Sequence, residues 1–273
     1  MTYFGFLGLF LVIPIIIMLG LTWRDARQGR QLPQRFASYS PWAILLLHLL
    51  MALAYTTPWD NYLVATSVWW YDRAKVTGIV LGYVPIEEYT FFILQPILTG
   101  LWLLFWLRRQ PNHVETGWEN GRFRRTSLII LGILWLSMVY ILMAGWAPGT
   151  YLALILAWAL LPIMLQIGYG GDILWRHRRV VLLGLLPVTL FLAAVDALAI
   201  YDGIWTIDPA QTINWYLGGI LPFEEFLFFL ITNVLIVFGM TLFLATESQK
   251  RLDQIKAMIA QWRARKLQVA REK

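Results

Sequence analysis

The residues best able to do chemistry in this chain are acidic and lie in apolar surroundings. Nine of its 16 Asp and Glu residues fall in two short stretches, Asp60, Asp72, Glu87 and Glu88 in the first and Asp196, Asp202, Asp208, Glu224 and Glu225 in the second. Each adjacent glutamate pair follows a proline and runs on into a Phe-Phe step, Phe91-Phe92 or Phe228-Phe229, and a long apolar segment. A carboxyl group at membrane depth is expensive unless paired or protonated, so such residues are functional candidates. Crowded carboxyl groups in a dry site do not all ionise, which leaves one able to give a proton and another able to take one. Aromatic faces stabilise cations, so acids beside rings suit a reaction that passes through a carbocation.

The plain alternative is that proline followed by glutamates is an ordinary helix start favoured by the macrodipole. Recurrence of the pattern ahead of apolar helices favours function instead, with Glu87, Glu88, Glu224 and Glu225 as acid and base candidates and Asp60 and Asp196 beside them. Neighbours on a helix point about 100° apart, so one glutamate of each pair enters a cavity while the other orients it or caps the helix. Trp69, Trp205, Phe91, Phe92, Phe228 and Phe229 are the candidates for holding substrate. Trp42, Trp59 and Trp215 read as membrane-interface belt residues.

The elements that must position these residues are membrane helices. Of 273 residues 59% are apolar and only 14% charged, with no cysteine; the mean hydropathy is +0.62. A water-facing surface cannot be built from so few charges. Seven apolar runs approach the roughly 20 residues a spanning helix needs: 3–22, 42–57, 79–107, 126–145, 151–168, 180–200 and 218–245. The second is the shortest, and the third and seventh are long enough to begin as turns outside the helix. If seven helices alternate, 20 of the 22 basic residues fall on one side and only Arg73 and Lys75 on the other. The positive-inside rule then predicts an N-terminus outside and a C-terminus in the cytoplasm, with the chain in the cell or inner membrane if its source is bacterial. The net charge of +6 is thus topological, and no nucleic-acid partner is expected. No cleavable signal peptide is expected, because the arginines follow the first apolar run.

A repeat organises the helices. Tyr3 and Pro14 have the spacing of Tyr151 and Pro162, and Trp23-Arg24 is echoed by Trp175-Arg176. Asp60, Trp69 and Asp72 have the spacing of Asp196, Trp205 and Asp208, and Pro85-Ile-Glu-Glu is matched by Pro222-Phe-Glu-Glu. The expected fold is an all-α integral membrane protein of two parallel three-helix units, residues 1–112 and 148–245, joined by a linking helix in 113–147. A basic amphipathic tail, 246–273, follows, with Thr246 and Gln249 as a capping box and Leu252, Ile255, Ile259 and Trp262 on one face. This tail reads either as a helix lying on the cytoplasmic leaflet or as a solvated, partly disordered segment.

Several signals are missing. Gly168-Tyr-Gly170-Gly171 is not a dinucleotide fingerprint, so no cofactor is expected. His48, His113 and His177 are scattered and imply no metal site. The seventh run has no lysine for a retinal Schiff base, and the acidic clusters of membrane prenyltransferases are absent.

The paired Pro-x-Glu-Glu and Phe-Phe segments with their Asp–Trp–Asp frames resemble the membrane lycopene cyclase domain family. The resemblance covers nearly the whole chain before the tail, in the fused two-domain form without an attached phytoene synthase. It implies a carotenoid cyclase, an intramolecular lyase or isomerase that forms β-ionone-type rings on a lycopene-like polyene without a flavin. An acid protonates the terminal double bond, the neighbouring alkene closes a six-membered ring, and a base removes a proton. The polyene is expected in an apolar groove reached from the lipid, and association with other carotenoid-pathway enzymes is a further expectation. A cyclase for C50 or single-end carotenoids stays open within the family. A carboxylate-based transporter or proton pathway, or a scaffolding partner of a carotenoid complex, stays open outside it.

Overall fold

A computed structural model of the protein describes residues 1–111 and 120–271, with side chains to 263. His113 and the expected boundary between residues 112 and 113 lie outside the described residues, as do Lys273 and the side chains of Arg265, Lys266 and Arg271. Among the described residues seven helices are long and apolar enough to span a membrane, one for each apolar run. They are α1 (Tyr3–Arg27), α2 (Pro41–Ala65), α3 (Ile86–Leu107), α4 (Gly121–Ala144), α5 (Thr150–Arg176), α6 (Arg178–Tyr201) and α7 (Phe223–Leu244). An eighth, α8 (Thr246–Arg271), forms the tail.

The run that looked shortest is a full span: α2 has 25 residues and continues through Pro58 and Asp60 to Ala65. Its polar end is helical because Asp60 turns inward and is buried. The third and seventh runs begin outside their helices. Strands β2 (Val80–Leu81) and β3 (Val84–Pro85) form a hairpin ahead of α3, and β5 (Tyr216–Leu217) and β6 (Leu221–Pro222) form another ahead of α7. Pro85 and Pro222 are therefore strand ends and helix caps rather than first helical residues. The backbone N–H of Ile86 is satisfied by Ile79 and that of Phe223 by Trp215, so each hairpin closes the start of its helix.

A third strand pair joins the two halves. β1 (Trp69–Tyr71) runs antiparallel to β4 (Trp205–Ile207), with Trp70 opposite Thr206, Trp69 opposite Ile207 and Tyr71 opposite Trp205. Trp70 and Thr206, which stand equally far after Asp60 and Asp196, thus meet directly, while Trp69 and Trp205 do not.

Helices α3, α6 and α7 are the most buried spans and α4 the least. At the centre Asn233 of α7 accepts from Gln95 (2.7 Å) and Thr99 (2.7 Å) of α3 and donates to Thr189 of α6 (3.1 Å). Such amide and hydroxyl bonds fasten helices where apolar packing has no advantage over lipid. Helix prolines free carbonyls that side chains then take. Pro187 frees Leu183, whose oxygen accepts Trp102 Nε1 at 2.8 Å, and Pro162 frees Trp158, whose oxygen accepts the Tyr55 hydroxyl at 2.9 Å.

The basic end of the bundle is held by buried carboxylates. Asp25 takes a two-pronged bond from Arg109 (2.8 and 2.9 Å), and Asp172 takes one from Arg251 (2.8 and 2.6 Å). Glu247 accepts from His177 (3.2 Å) and Arg176 (3.4 Å). The first turns of α8 are therefore tied to α5. The expected capping box is not formed: the helix already includes Thr246, and Gln249 Oε1 accepts from the Tyr39 hydroxyl at 2.8 Å.

Candidate active site

The acidic residues separate into three groups. Asp72 and Asp208 each close a local turn, accepting from the N–H of Ala74 and Ala210 at 2.9 Å. Asp202 is exposed and pairs with the N-terminal amine at 2.6 Å. The second group holds loops. Glu87 Oε1 accepts the backbone N–H of Thr77 (2.6 Å), and Glu224 Oε1 accepts that of Ile213 (2.7 Å). Each lies on the second residue of its helix and ties down the strand connection that precedes it.

The third group lines a chamber at the strand-pair end of the bundle. Asp60, Glu88, Asp196 and Glu225 share its wall with Tyr3, Tyr71, Tyr151, Trp69, Trp205, Phe91, Phe228 and Phe229. All four carboxyl groups are buried. One glutamate of each pair faces the chamber and the other faces the loop, as their angular separation on a helix requires. The Tyr3 hydroxyl donates to Glu88 at 2.5 Å and the Tyr151 hydroxyl to Glu225 at 2.5 Å. These are as short as hydroxyl–carboxylate bonds become. Tyr3 and Tyr151 are missing from the sequence-derived candidates, although their shared spacing to Pro14 and Pro162 marks them. Tyr71 is missing as well, and no spacing in the sequence marks it.

The rings also differ from expectation. Trp59 is buried rather than interfacial. It lies parallel to Trp158 at 4.6 Å and to Phe228 at 5.7 Å, and it meets Trp69 edge-on at 5.8 Å. Trp42 and Trp215 are exposed, as a belt position requires. Phe92 leaves the chamber wall and lines a second space.

That second space is an apolar cleft between α2, α3, α5 and α7. Met51, Tyr55, Trp158, Leu161, Leu165 and Leu235 line it, with His48 and Gln166 among its few polar groups. Phe91 and Phe228 belong to both walls, so they separate cleft from chamber. Tyr55 stacks on Trp158 (5.2 Å) across the cleft. In α1 a π-helical turn, Gly8–Val12, brings Leu11 to the chamber wall.

The arrangement combines proton donors and acceptors with aromatic faces and an adjoining space for a long apolar molecule. Among the described residues no group of three or more His, Cys, Asp or Glu side chains is placed to hold a metal ion.

The chain is 42% identical over 195 residues to a lycopene beta-cyclase of Halobacterium salinarum, covering 71% of this chain and 79% of the relative. It is 35% identical over 201 residues to a bifunctional lycopene cyclase/phytoene synthase of Podospora anserina, covering 69% of this chain and 33% of the relative. For a protein of the same description from Phaffia rhodozyma the identity is 29% over 207 residues, covering 70% and 30%. No solved structure matches the chain. A family profile described as Lycopene cyclase matches residues 1–106 and again 148–243, and the chain belongs to the lycopene cyclase family.

Proposed function

We propose that the protein closes the linear end group of a lycopene-like carotenoid into a six-membered β-type ring, by acid and base catalysis without net redox change. The observation that carries this reading is the chamber itself, where buried carboxyl groups face aromatic rings and adjoin an apolar cleft. The name of the Halobacterium relative favours the β ring.

The polyene lies in the cleft with its end group past Phe91 and Phe228. A chamber carboxyl group gives its proton to the terminal double bond, and a tertiary cation forms. The neighbouring alkene attacks that cation, making one carbon–carbon bond and moving the charge onto the ring. A carboxylate then removes a ring proton and restores a double bond. One proton enters and one leaves, so no oxidant or reductant is required. Trp69, Trp205 and the phenylalanines face the charge as it moves, and removal from water strengthens each of these interactions.

The matched contacts, Tyr3 with Glu88 and Tyr151 with Glu225, support two copies of one three-helix unit placed about a twofold axis along the membrane normal. In that arrangement the basic end lies in the cytoplasm, the chamber lies toward the outside, and α8 rests against anionic lipid. Docking to other enzymes of the pathway fits this location.

Expression in cells that accumulate lycopene tests the reading. Pigment extracts should contain β-ring carotenoids. Unchanged lycopene in cells that contain folded protein would refute the function, and ε-ring products would refute the ring type.

A further inference from the structure

The polar residues of the two chamber halves match except at one hydrogen-bond donor. Tyr3, Asp60, Trp69, Glu88 and Phe91 have counterparts in Tyr151, Asp196, Trp205, Glu225 and Phe228. Two residues after each tryptophan, however, the first half has Tyr71 and the second has Ile207. Both side chains line the chamber.

This single difference redirects the bonds around it. In the second half the Trp205 indole lies beside Asp196 on the chamber wall. In the first half Trp69 Nε1 donates instead to the Tyr71 hydroxyl, at 3.2 Å. Asp60 is left without a donor: neither of its carboxyl oxygens has a hydrogen-bond partner among the described residues, although the residue is only 1% exposed. Glu88 gains what Asp60 lacks. It accepts from Tyr3 at 2.5 Å, and Tyr71, stacked on Tyr3 at 6.2 Å, lies beside the same carboxylate on the chamber wall. Glu225 is met by one tyrosine hydroxyl, that of Tyr151.

Hydroxyl donors stabilise an ionised carboxylate, and a second donor adds to the first. A buried carboxyl group with no donor is strongly disfavoured as an anion. Burial first, and the neighbouring carboxyl groups second, raise the Tyr71 phenol well above its ordinary range, so it stays a donor.

We propose that Tyr71 sets the direction of proton flow, as a positioning residue that holds Glu88 as the base and leaves Asp60 as the acid. The inference rests on the cyclase reading and assigns roles within it. The Asp60 O–H bond breaks and its proton forms the new C–H bond on the terminal alkene. After ring closure Glu88 takes the ring proton, whose C–H electrons become the ring double bond. Asp60 is then ionised and Glu88 protonated. Return of that proton across the chamber resets the pair.

Infrared difference spectroscopy on the full-length protein in lipid, without substrate, tests the assignment. Wild type minus Asp60→Asn should show the carbonyl stretch of a protonated carboxyl group, shifted in D2O. Wild type minus Glu88→Gln should show carboxylate bands instead. Tyr71→Phe should weaken the Asp60 band, produce a new one from Glu88, and lower turnover roughly 10- to 100-fold. Tyr71→Ile, which introduces the residue of the second half, is a second variant for the same readings. A protonated band lost in Glu88→Gln and kept in Asp60→Asn would overturn the proposal. So would Tyr71 variants with unchanged bands and turnover. Because the bands are read on resting protein, their failure would leave the cyclase reading standing, and a failed pigment assay would leave the bands interpretable.

Discussion

Adjacent glutamates with different surroundings should respond very differently to one conservative change. Glu87→Gln and Glu224→Gln keep a carbonyl oxygen facing the N–H groups of Thr77 and Ile213, now 2.6 and 2.7 Å from the carboxylates. What is lost is the charge assistance of one hydrogen bond. A bond to a charged group contributes about 1.5–3 kcal/mol and a neutral one about 1 kcal/mol, so the expected destabilisation is about 0.5–2 kcal/mol. The added amide N–H₂ meets a buried position where Glu87 Oε2 and Glu224 Oε2 have no partner among the described residues, which places the change toward the upper end of that range. Turnover per folded molecule should stay within about threefold of wild type, since neither residue lines the chamber. Glu88→Gln removes a chamber carboxylate that could take the proton, and loss of a general base lowers turnover roughly 10²–10⁴-fold. That is about 2.7–5.4 kcal/mol of barrier at 1.36 kcal/mol per tenfold. The assay is purified variant in lipid discs, with pigment formation followed by chromatography and folding followed by thermal unfolding. If folded Glu87→Gln or Glu224→Gln were as inactive as Glu88→Gln, the division between loop-binding and chamber glutamates would be refuted.

Trp158→Ala removes the stacks with Trp59 and Tyr55 at the cleft. At about 0.5–1.5 kcal/mol per aromatic pair, kcat/KM should fall roughly tenfold, mostly through KM, and a pure kcat effect would contradict a role in admitting the polyene. Arg251→Ala leaves Asp172 buried without its two-pronged partner. Breaking such a pair costs about 3–5 kcal/mol, so the unfolding temperature should drop and α8 should become open to proteolysis. Burial acts to raise Glu247, but the His177 bond, its own backbone bond and Arg176 outweigh it and hold the carboxyl at about 2. A depressed folded value means the contribution to tail docking is complete above the unfolded value near 4.5 and is lost as pH falls from there to about 2. Proteolysis of α8 should therefore be unchanged between pH 7 and 5 and increase below pH 4.5. Reporter fusions after Arg35, Arg122 and Arg179 should be cytoplasmic and one at Lys75 external; an external signal at Arg122 would refute the orientation.

Much of the fold was legible in the chain because a membrane imposes a coarse, local rule. Each spanning helix must be one long apolar run, and seven runs gave seven helices. The boundary errors have local causes. The sequence of α2 looks finished at Thr57, because Pro58, Trp59, Asp60 and Asn61 read as a polar exit. Tertiary packing makes that segment helical, since Asp60 and Trp59 have an interior to enter. Trp59 was misplaced for the same reason: a tryptophan beside an Asp looks interfacial until Trp158 and Phe228 are seen on its two sides.

The site divides along the same line. The sequence by itself determined which residue types could act, because buried acids are rare and repetition of Pro-x-Glu-Glu and Asp–Trp–Asp separates them from chance. It also determined that only one glutamate of each pair could face one point, since 3.6 residues per turn forbid both. Only the tertiary structure decided which one. Glu88 and Glu225 turn inward because the connections ahead of the two hairpins present the N–H groups of Thr77 and Ile213 to their neighbours. The phenols were likewise beyond the sequence: Tyr3 and Glu88 are 85 residues apart. Their meeting depends on α1 packing against α3, and that of Tyr151 with Glu225 on α5 packing against α7. Tyr71 acquires its meaning from a counterpart, Ile207, that lies across a strand pair rather than beside it in the chain. Local pattern specifies the elements and their faces. The hydrogen bonds that make one carboxyl group differ from another join residues distant in sequence, so only the packed fold can assign them.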